Sequence, residues 1–246
     1  MPHKSVKPIV RSRVANYSLD AVAILFALLV LALASTAISA RAGESLHGDT
    51  ILETAQGEDR EWRFRVFLDQ KEIGRHDFYL EGQGANQVLR TVADFEYKLL
   101  FVKLYEYQHE NHETWQDDCL TSIESSTDAN GKPFAVFGQR QEDTFIVNGA
   151  SGETVLPSCV MSFAYWNPDF LDQKQLLNSQ SGEYLDVLIS SPIQEQLEVQ
   201  GEMRPAYRYK LVAGDLKLDL WYSEAREWLG LESEAEGGRT LRYELL

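Results

Sequence analysis

Cys159-Val-Met-Ser-Phe-Ala-Tyr-Trp-Asn167 interrupts a long series of strand patterns and leads into the one helical pattern of the chain. Asn167 is a residue type that caps helices. Pro168 behind it suits a first helical position, because proline has no N–H to lose there. The pattern therefore predicts one short helix from Pro168 to Leu177, and we expect the stretch to join this helix to a sheet.

Strand patterns fill the rest of the chain from about residue 58 onward. The segment 62–68 alternates apolar residues with their neighbours, which is typical of a strand with one buried face. The segment 99–115 contains neither a helix cap nor a helical period, so extended structure is expected across it. Asn130-Gly131 is a strong hairpin signal, because both residue types accept the left-handed conformation that a tight turn needs.

The number and spacing of these strands indicate the fold class. About twelve strands with turns roughly every eight to twelve residues are typical of an antiparallel sandwich or barrel. We predict a mainly β protein: an antiparallel curled sheet or partly open β-barrel with one short helix, forming a single domain over residues 58–246. A β-sandwich is the alternative.

The first 42 residues have the composition of an export signal. Four basic residues and no acid precede Asp20, and residues 21–40 carry no charge. Small residues follow, which predicts a signal peptide over residues 1–42 and a flexible leader over residues 43–57. If the signal were not cleaved, its twenty uncharged residues would be long enough to anchor the chain in a bilayer.

The chain is strongly acidic, with 23 Lys and Arg against 38 Asp and Glu and a formal net charge of −15. Without residues 1–42, 18 basic residues would face 37 acidic ones. Such a charge opposes binding to phosphate backbones and to anionic lipid surfaces. We therefore expect no nucleic-acid partner, and membrane contact only through the signal segment if it is not cleaved.

Cys119 and Cys159 are the only cysteines. In an oxidising compartment such a pair usually forms a disulfide, and closing a loop of this length stabilises a fold by roughly 3–4 kcal/mol. Two buried thiols in neighbouring strands are the alternative. A catalytic thiol is disfavoured, because Asp117 and Asp118 would raise the pKa of Cys119.

The candidate catalytic groups form no recognisable motif. His109 and His112 are an odd number of residues apart, so on a strand they face opposite sides and cannot share a metal ion. Ser162 has no histidine close in the sequence, and His76 is only a distant candidate base. We predict no catalytic residue, no metal site and no cofactor, and hence a protein that is not an enzyme.

Aromatic residues are the positive signal for a binding site. Along an extended chain, Phe163 and Tyr165 would share one face and Trp166 would lie on the other. Trp221 belongs to a later Trp-Tyr strand. Large aromatic side chains with polar tips suit an apolar-ligand pocket, so these four are the predicted ligand-binding residues. The alternative is that they only fill the core.

Several stretches carry a family resemblance: Phe64-Arg-Val-Phe-Leu-Asp69 with Ile73-Gly74, Tyr107 to Trp115 with Cys119-Leu120, Cys159 with Ser162 to Asn167, Leu177-Asn-Ser-Gln180 with Ser181-Gly182, and Leu220-Trp-Tyr222. Together they resemble an uncharacterised family of exported proteobacterial proteins of unknown function. More distantly, their order is similar to the β-rich half-barrel carriers of the periplasm. The resemblance implies a periplasmic location and no catalytic residue.

Two hypotheses of function follow. The first is a periplasmic protein that binds a lipid-like, apolar or amphipathic molecule between the Trp-Tyr strand and the helix at Pro168. It requires a continuous apolar cavity of several hundred Å³. The second is a structural or assembly factor that contacts another envelope protein through an exposed apolar patch or a long free strand edge.

Overall fold

The computed structural model describes residues 59–246, so the predicted signal peptide and leader lie outside the described residues. The described strands are β1 (Arg60–Leu68), β2 (Lys71–Gln83), β3 (Asn86–Leu99), β4 (Val102–Gln116), β5 (Cys119–Ala129), β6 (Lys132–Gln141), β7 (Thr144–Gly149), β8 (Gly152–Pro157), β9 (Gln175–Leu177), β10 (Tyr184–Asp186), β11 (Leu188–Ile189), β12 (Ile193–Val199), β13 (Glu202–Ala213), β14 (Leu216–Tyr222), β15 (Trp228–Ala235) and β16 (Arg239–Leu245). Two short 3₁₀ helices span Pro168–Asp172 and Glu236–Gly238.

Fourteen of these strands form one antiparallel sheet. Strands β1 to β8 pair in succession, and so do strands β13 to β16. β16 pairs with β1, Phe64 lying opposite Leu245, so the last strand meets the first in the middle of the sheet. β8 forms one edge, and β11 and β12 lie along β13 at the other, so the sheet does not close. The predicted partly open, barrel-like sheet is confirmed, and one continuous sheet takes the place of the sandwich alternative.

The turns define two ends of this sheet. The β1–β2, β3–β4 and β5–β6 turns lie at one end, which we call the tip end. The β2–β3, β4–β5 and β14–β15 connections lie at the other, which we call the groove end. β1 begins at the groove end, since Arg60 pairs with Leu80 and the β1–β2 turn follows Leu68.

Residues 158–190, which we call the inner segment, connect β8 to the far edge of the sheet and fill its concave side. Val160, Met161, Phe170 and Leu177 are almost completely buried in one cluster with side chains from strands around the sheet. Burial of this much apolar surface is the main force holding such a segment in place. The interior of the barrel is thus largely occupied by the chain itself.

Backbone hydrogen bonds align the inner segment. The Leu120 N–H donates to the Val160 carbonyl (2.9 Å), and the Leu177 N–H donates to the Met161 carbonyl (2.9 Å). Ser162 forms an isolated parallel bridge with Leu177 rather than a place in a strand. The expectation of an extended strand through Phe163 and Trp166 is therefore wrong, because these residues pair with their own segment and not with the sheet.

Two further expectations need correction. The helix begins as predicted, with the Asn167 side chain accepting from the Asp169 N–H (3.0 Å), but it ends at Asp172, and β9 follows. The apolar run after residue 99 is not continuously extended, because Leu100 and Phe101 form the turn between β3 and β4. Propensity favours strand there, and the pairing of the two flanking segments overrides it.

Candidate functional site

An open groove of about 210 Å³, the tyrosine groove, lies at the groove end between the first 3₁₀ helix and the edge of the sheet. Three tyrosines form its wall: Tyr207 and Tyr209 from β13 and Tyr222 from β14. They share one face because Tyr207 lies opposite Tyr222 in the register and Tyr209 is two residues further along its strand. The remaining lining residues are Leu171, Pro192, Ser223, Glu224 and Arg226.

Aromatic packing fixes the groove wall. The Tyr209 and Tyr222 rings meet edge to face at 5.9 Å between centroids, and the Phe170 ring lies 6.5 Å from that of Tyr222. Tyr222 is almost fully buried, and its hydroxyl donates to the Tyr165 carbonyl (2.8 Å). Burial raises the pKa of the Tyr222 hydroxyl well above its ordinary value, and the neighbouring Tyr165 and Tyr209 act in the same direction. Tyr222 therefore remains a neutral donor.

Arg226 clamps the helix against the sheet. It lies in the β14–β15 turn, where its guanidinium donates to the Pro168 carbonyl (2.9 Å) and pairs with Asp169 (3.3 Å). Arg226 and Glu224 bring one cation and one anion to the rim of an otherwise mostly apolar groove. Such a surface can hold an apolar body by stacking and a polar end by charge-assisted hydrogen bonds.

The predicted ligand-binding residues do not converge on this groove. Trp166 is buried and packs edge to face on Trp115 at 5.5 Å between centroids. Phe163 and Tyr165 are partly buried and pack against the main core. Trp221 faces the other side of the sheet from Tyr222, and its indole N–H donates to Glu195 (2.7 Å). Trp221 is kept out of the groove because side chains alternate between the two faces of β14. The other three residues are kept out because the inner segment packs them into the core.

The disulfide predicted from the sequence is present. Cys119 and Cys159 are bonded, with their Cα atoms 4.8 Å apart. The bond ties the first residue of β5 to the start of the inner segment, next to the backbone hydrogen bond between Leu120 and Val160. It therefore holds the groove-end part of the inner segment to the sheet.

A buried carboxylate organises the interior beside this junction. Glu113 on β4 is 2% exposed and accepts from the Asn111 amide (3.0 Å), the Trp115 indole (3.0 Å) and the Ser162 hydroxyl (3.3 Å). Burial raises the pKa of Glu113, and the three hydrogen bonds oppose that rise. The network attaches the inner segment to β4. Ser162 is thus engaged with an acid and not with a histidine.

Of the three histidines among residues 59–246, one is buried, one is partly buried and one is exposed. His109 is buried and hydrogen-bonds Thr127 (2.7 Å), whereas His112 is exposed and pairs with Glu110 (3.3 Å), on opposite faces of β4 as expected. Burial lowers the pKa of His109 to about 4. Burial also lowers the pKa of His76, whose ring centroid lies 6.5 Å from that of His109. Both rings are therefore neutral at pH 7.

A second concave area, of about 320 Å³, lies on the outer surface of β3, β4 and β5. Its lining includes Asp94, Glu110 and Asp128 together with Gln108 and Ser126. Three carboxyl side chains make this surface acidic and it has no aromatic wall, so it suits the apolar ligand less well than the tyrosine groove does. The tyrosine groove is the better candidate.

Comparison with known proteins adds a family and a fold. A family model described as a domain of unknown function (DUF6134) matches residues 64–246. The chain belongs to this family. The DUF6134 match begins within β1 and covers the rest of the sheet and the inner segment, and the expected membership of an uncharacterised β-rich family is confirmed. No curated protein matches the sequence.

A solved structure with a similar fold was also found. It is the crystal structure of a β-barrel-like protein of domain of unknown function DUF1849 from Brucella abortus. The TM-score is 0.54 at 10% identity, with 76% of this chain and 95% of that chain covered. At this identity the likeness shows the fold alone. In the described part of the chain, no helix has the length and apolarity that crossing a membrane requires.

Sequence reasoning missed the residues that form the groove. Tyr207 and Tyr209 alternate on β13 as a buried strand face does, so nothing distinguishes them from core residues before the sheet edge is known. Leu171 and Arg226 are 55 residues apart in the sequence, and only the helix clamp brings them together. The available signal was the short helix itself, which the sequence placed beside the Trp-Tyr strand.

Proposed function

We propose that the protein is a periplasmic binding protein that holds part of an apolar or amphipathic molecule in the tyrosine groove, and that it acts by binding and not by catalysis. The observation that carries this proposal is the mostly apolar wall of Tyr207, Tyr209, Tyr222 and Leu171 at the open edge of the sheet. It lies between the Trp-Tyr strand and the helix, where the sequence suggested a ligand. It is a surface groove, however, and not the continuous cavity of several hundred Å³ that the first hypothesis required, so the proposal is limited to binding part of a molecule.

The size of the groove limits the ligand. At about 210 Å³ it is smaller than the roughly 300–1,000 Å³ of pockets that enclose a whole drug-sized molecule. One ring system or a short length of acyl chain fits this volume. Arg226 and Glu224 at the rim suit a polar or charged end group left outside. A carrier that encloses a whole lipid is not favoured, because the inner segment occupies the interior.

Two further observations support the location and the absence of catalysis in this proposal. A disulfide between Cys119 and Cys159 suits an oxidising compartment such as the periplasm. Ser162 and its hydrogen-bond partner Glu113 are each 2% exposed, so a substrate has no access to this hydroxyl. The second function suggested by the sequence, contact with another envelope protein, is favoured only by the exposed apolar hairpin between β3 and β4.

Native mass spectrometry of the full chain purified from the envelope tests the binding proposal, and a bound molecule of lipid or aromatic class is expected. Titration with the fluorophore N-phenyl-1-naphthylamine provides an assay for variants. Tyr207→Ala should weaken its binding about tenfold, since a stacking wall is lost. Tyr79→Ala is the matched control, because it removes a partly buried tyrosine from the outer face of β2, away from the groove. Equal affinities for the two variants would contradict the proposal.

A further inference from the structure

The β3–β4 hairpin projects beyond the rest of the sheet at the tip end. Its last pairs run from Glu96 opposite Glu106 to Leu99 opposite Val102. The pairing of β3 with β2 stops at Phe95, and the pairing of β4 with β5 stops at Tyr107. At about 3.3 Å per residue, the hairpin extends roughly 15 Å past the end of β5. On the other side, β2 continues beside the base of the hairpin as far as Lys71, which reaches the Lys98 carbonyl.

The end of this hairpin is apolar and open to solvent. Leu100 is 87% exposed and Phe101 is 99% exposed, while Leu99 and Val102 are each more than half exposed. We call these four residues the apolar tip. Single exposed apolar residues are ordinary on protein surfaces, but four in succession at a turn cost solubility and need a functional reason.

The turn chemistry is also unfavourable. Leu100 has φ 56°, a left-handed conformation in which a bulky side chain is uncommon. In the neighbouring β5–β6 hairpin, the left-handed turn residues are Asn130 (φ 62°) and Gly131 (φ 80°). Asn and Gly are the residue types that favour this conformation. The apolar tip therefore combines an unfavourable turn residue with unfavourable exposure of apolar side chains to water. Such coincident departures are typical of functional sites.

The base of the hairpin carries a band of tyrosine and lysine. Lys71 lies over the Tyr97 ring at 4.6 Å, and its ammonium group donates to the Lys98 carbonyl. Lys103 pairs with Glu106 (2.9 Å), and Tyr105 packs beside Tyr97 against the small core at this end. Tyrosines and lysines at the foot of an apolar projection are the residues that occupy the headgroup level of a bilayer.

We propose that the apolar tip inserts into the boundary between headgroups and acyl chains of a lipid bilayer, with Tyr97, Lys98 and Lys103 at the level of the headgroups. A two-residue turn spreads its side chains outward on a narrow convex end. A fluid bilayer accepts such a wedge, whereas a protein partner would need a deep matching pocket. The paired backbone of Leu99 and Val102 leaves few unsatisfied polar groups to bury.

Local charge is compatible with this docking. The chain as a whole carries a net charge of −15, which repels anionic headgroups. At the base of the hairpin, however, Glu96 and Glu106 pair with Lys98 and Lys103, and Lys71 adds a further cation. The tip end therefore presents its cations where phosphate groups would lie. The tyrosine groove is at the opposite end and would remain free in the aqueous compartment.

Depth-dependent fluorescence quenching in the full chain tests this proposal. All five native tryptophans are at most 8% exposed, so Phe101→Trp adds the one exposed indole. The probes are phosphatidylcholine vesicles, with and without phosphatidylglycerol, whose acyl chains carry bromine. We expect a blue-shifted emission from the added indole that the brominated lipids quench. Met203→Trp, at a site that is 61% exposed at the groove end, is the control and should not be quenched.

A second variant separates lipid contact from the stability of the hairpin. Leu100→Asn with Phe101→Gly installs the favourable turn chemistry and removes the apolar side chains, so the fold should be kept. Vesicle partitioning of this variant should fall at least about tenfold. Unquenched fluorescence of the Phe101→Trp protein in every vesicle would overturn the proposal. So would a dimer or a complex with another protein that the double variant abolishes while wild-type vesicle binding is absent.

Discussion

Removing the disulfide between Cys119 and Cys159 should show how much this bond contributes to the free energy of unfolding. The bond joins residues 40 apart in the sequence. A cross-link that closes a loop of this length lowers the entropy of the unfolded chain, which stabilises the folded protein by about 4 kcal/mol. In the folded protein the Leu120 N–H still donates to the Val160 carbonyl (2.9 Å), and Val160 remains buried. Most of the effect should therefore fall on the unfolded state.

Urea unfolding of the oxidised protein and of the Cys119→Ala/Cys159→Ala variant gives the comparison. The variant should lose about 4 kcal/mol of unfolding free energy. The same loss corresponds to a decrease in Tm of about 8–16 °C for a domain of this size. The m value should rise, because the unfolded chain without the cross-link is more expanded and exposes more surface.

Reductant provides the control. The wild-type protein in reductant should match the variant, and the variant itself should not respond to reductant. A loss below about 1 kcal/mol with an unchanged m value would refute the assignment of the effect to the unfolded chain. A loss well above the entropic value, accompanied by exposure of the inner segment to protease, would instead show that the bond holds the native structure together.

Three further predictions concern the interior. Glu113→Gln should make the unfolding free energy less dependent on pH above 4.5, since burial raises the pKa of Glu113 and ionising it costs more in the folded protein than in the unfolded chain. Wild-type stability should fall as the pH rises above the ordinary carboxyl value of 4.5 toward the raised folded value, and urea titrations in which the variant keeps that fall would contradict the assignment. Wild-type unfolding free energy should fall by about 2 kcal/mol between pH 6.5 and pH 5, because the folded state keeps the His109 ring neutral with a pKa of about 4 while the unfolded chain binds a proton. His109→Phe should remove this fall. If urea unfolding of the variant shows the same dependence on pH, His109 is not its source. Gly149→Ala should destabilise the fold by about 1–3 kcal/mol, because the added Cβ would lie 2.3 Å from the backbone oxygen of Ser181 in the inner segment. An unchanged Tm would show that the backbone at Gly149 and Ser181 can move apart at little cost.

The predicted helix illustrates how far local signals reach. Asn167 and Pro168 fixed its start correctly, because a capping oxygen and a preset φ act within a few residues. Its end was predicted five residues too late, since Leu176 and Leu177 are buried in the main core from strand β9 and not from a helical face. The pattern of apolar residues alone does not separate these two ways of burying a leucine.

The candidate site was less predictable than the fold. Its position beside the helix and the Trp-Tyr strand was indicated by the sequence, but the predicted wall residue Trp221 lies on the other face of the sheet. The residue that does line the groove, Tyr222, is its immediate neighbour. Alternation gives two faces for any strand, and the sequence of a single strand does not state which of the two becomes the inside.

The sequence by itself determined that the chain forms an antiparallel, barrel-like sheet and that Cys119 can bond Cys159. These conclusions rest on short-range periodicity, turn chemistry and the count of cysteines. Only the tertiary structure decided that residues 158–190 fill the barrel, leaving a groove at its open edge and an apolar tip beyond it. Both features depend on contacts between residues far apart in the sequence, and on which strands outreach their neighbours, so no local pattern encodes them.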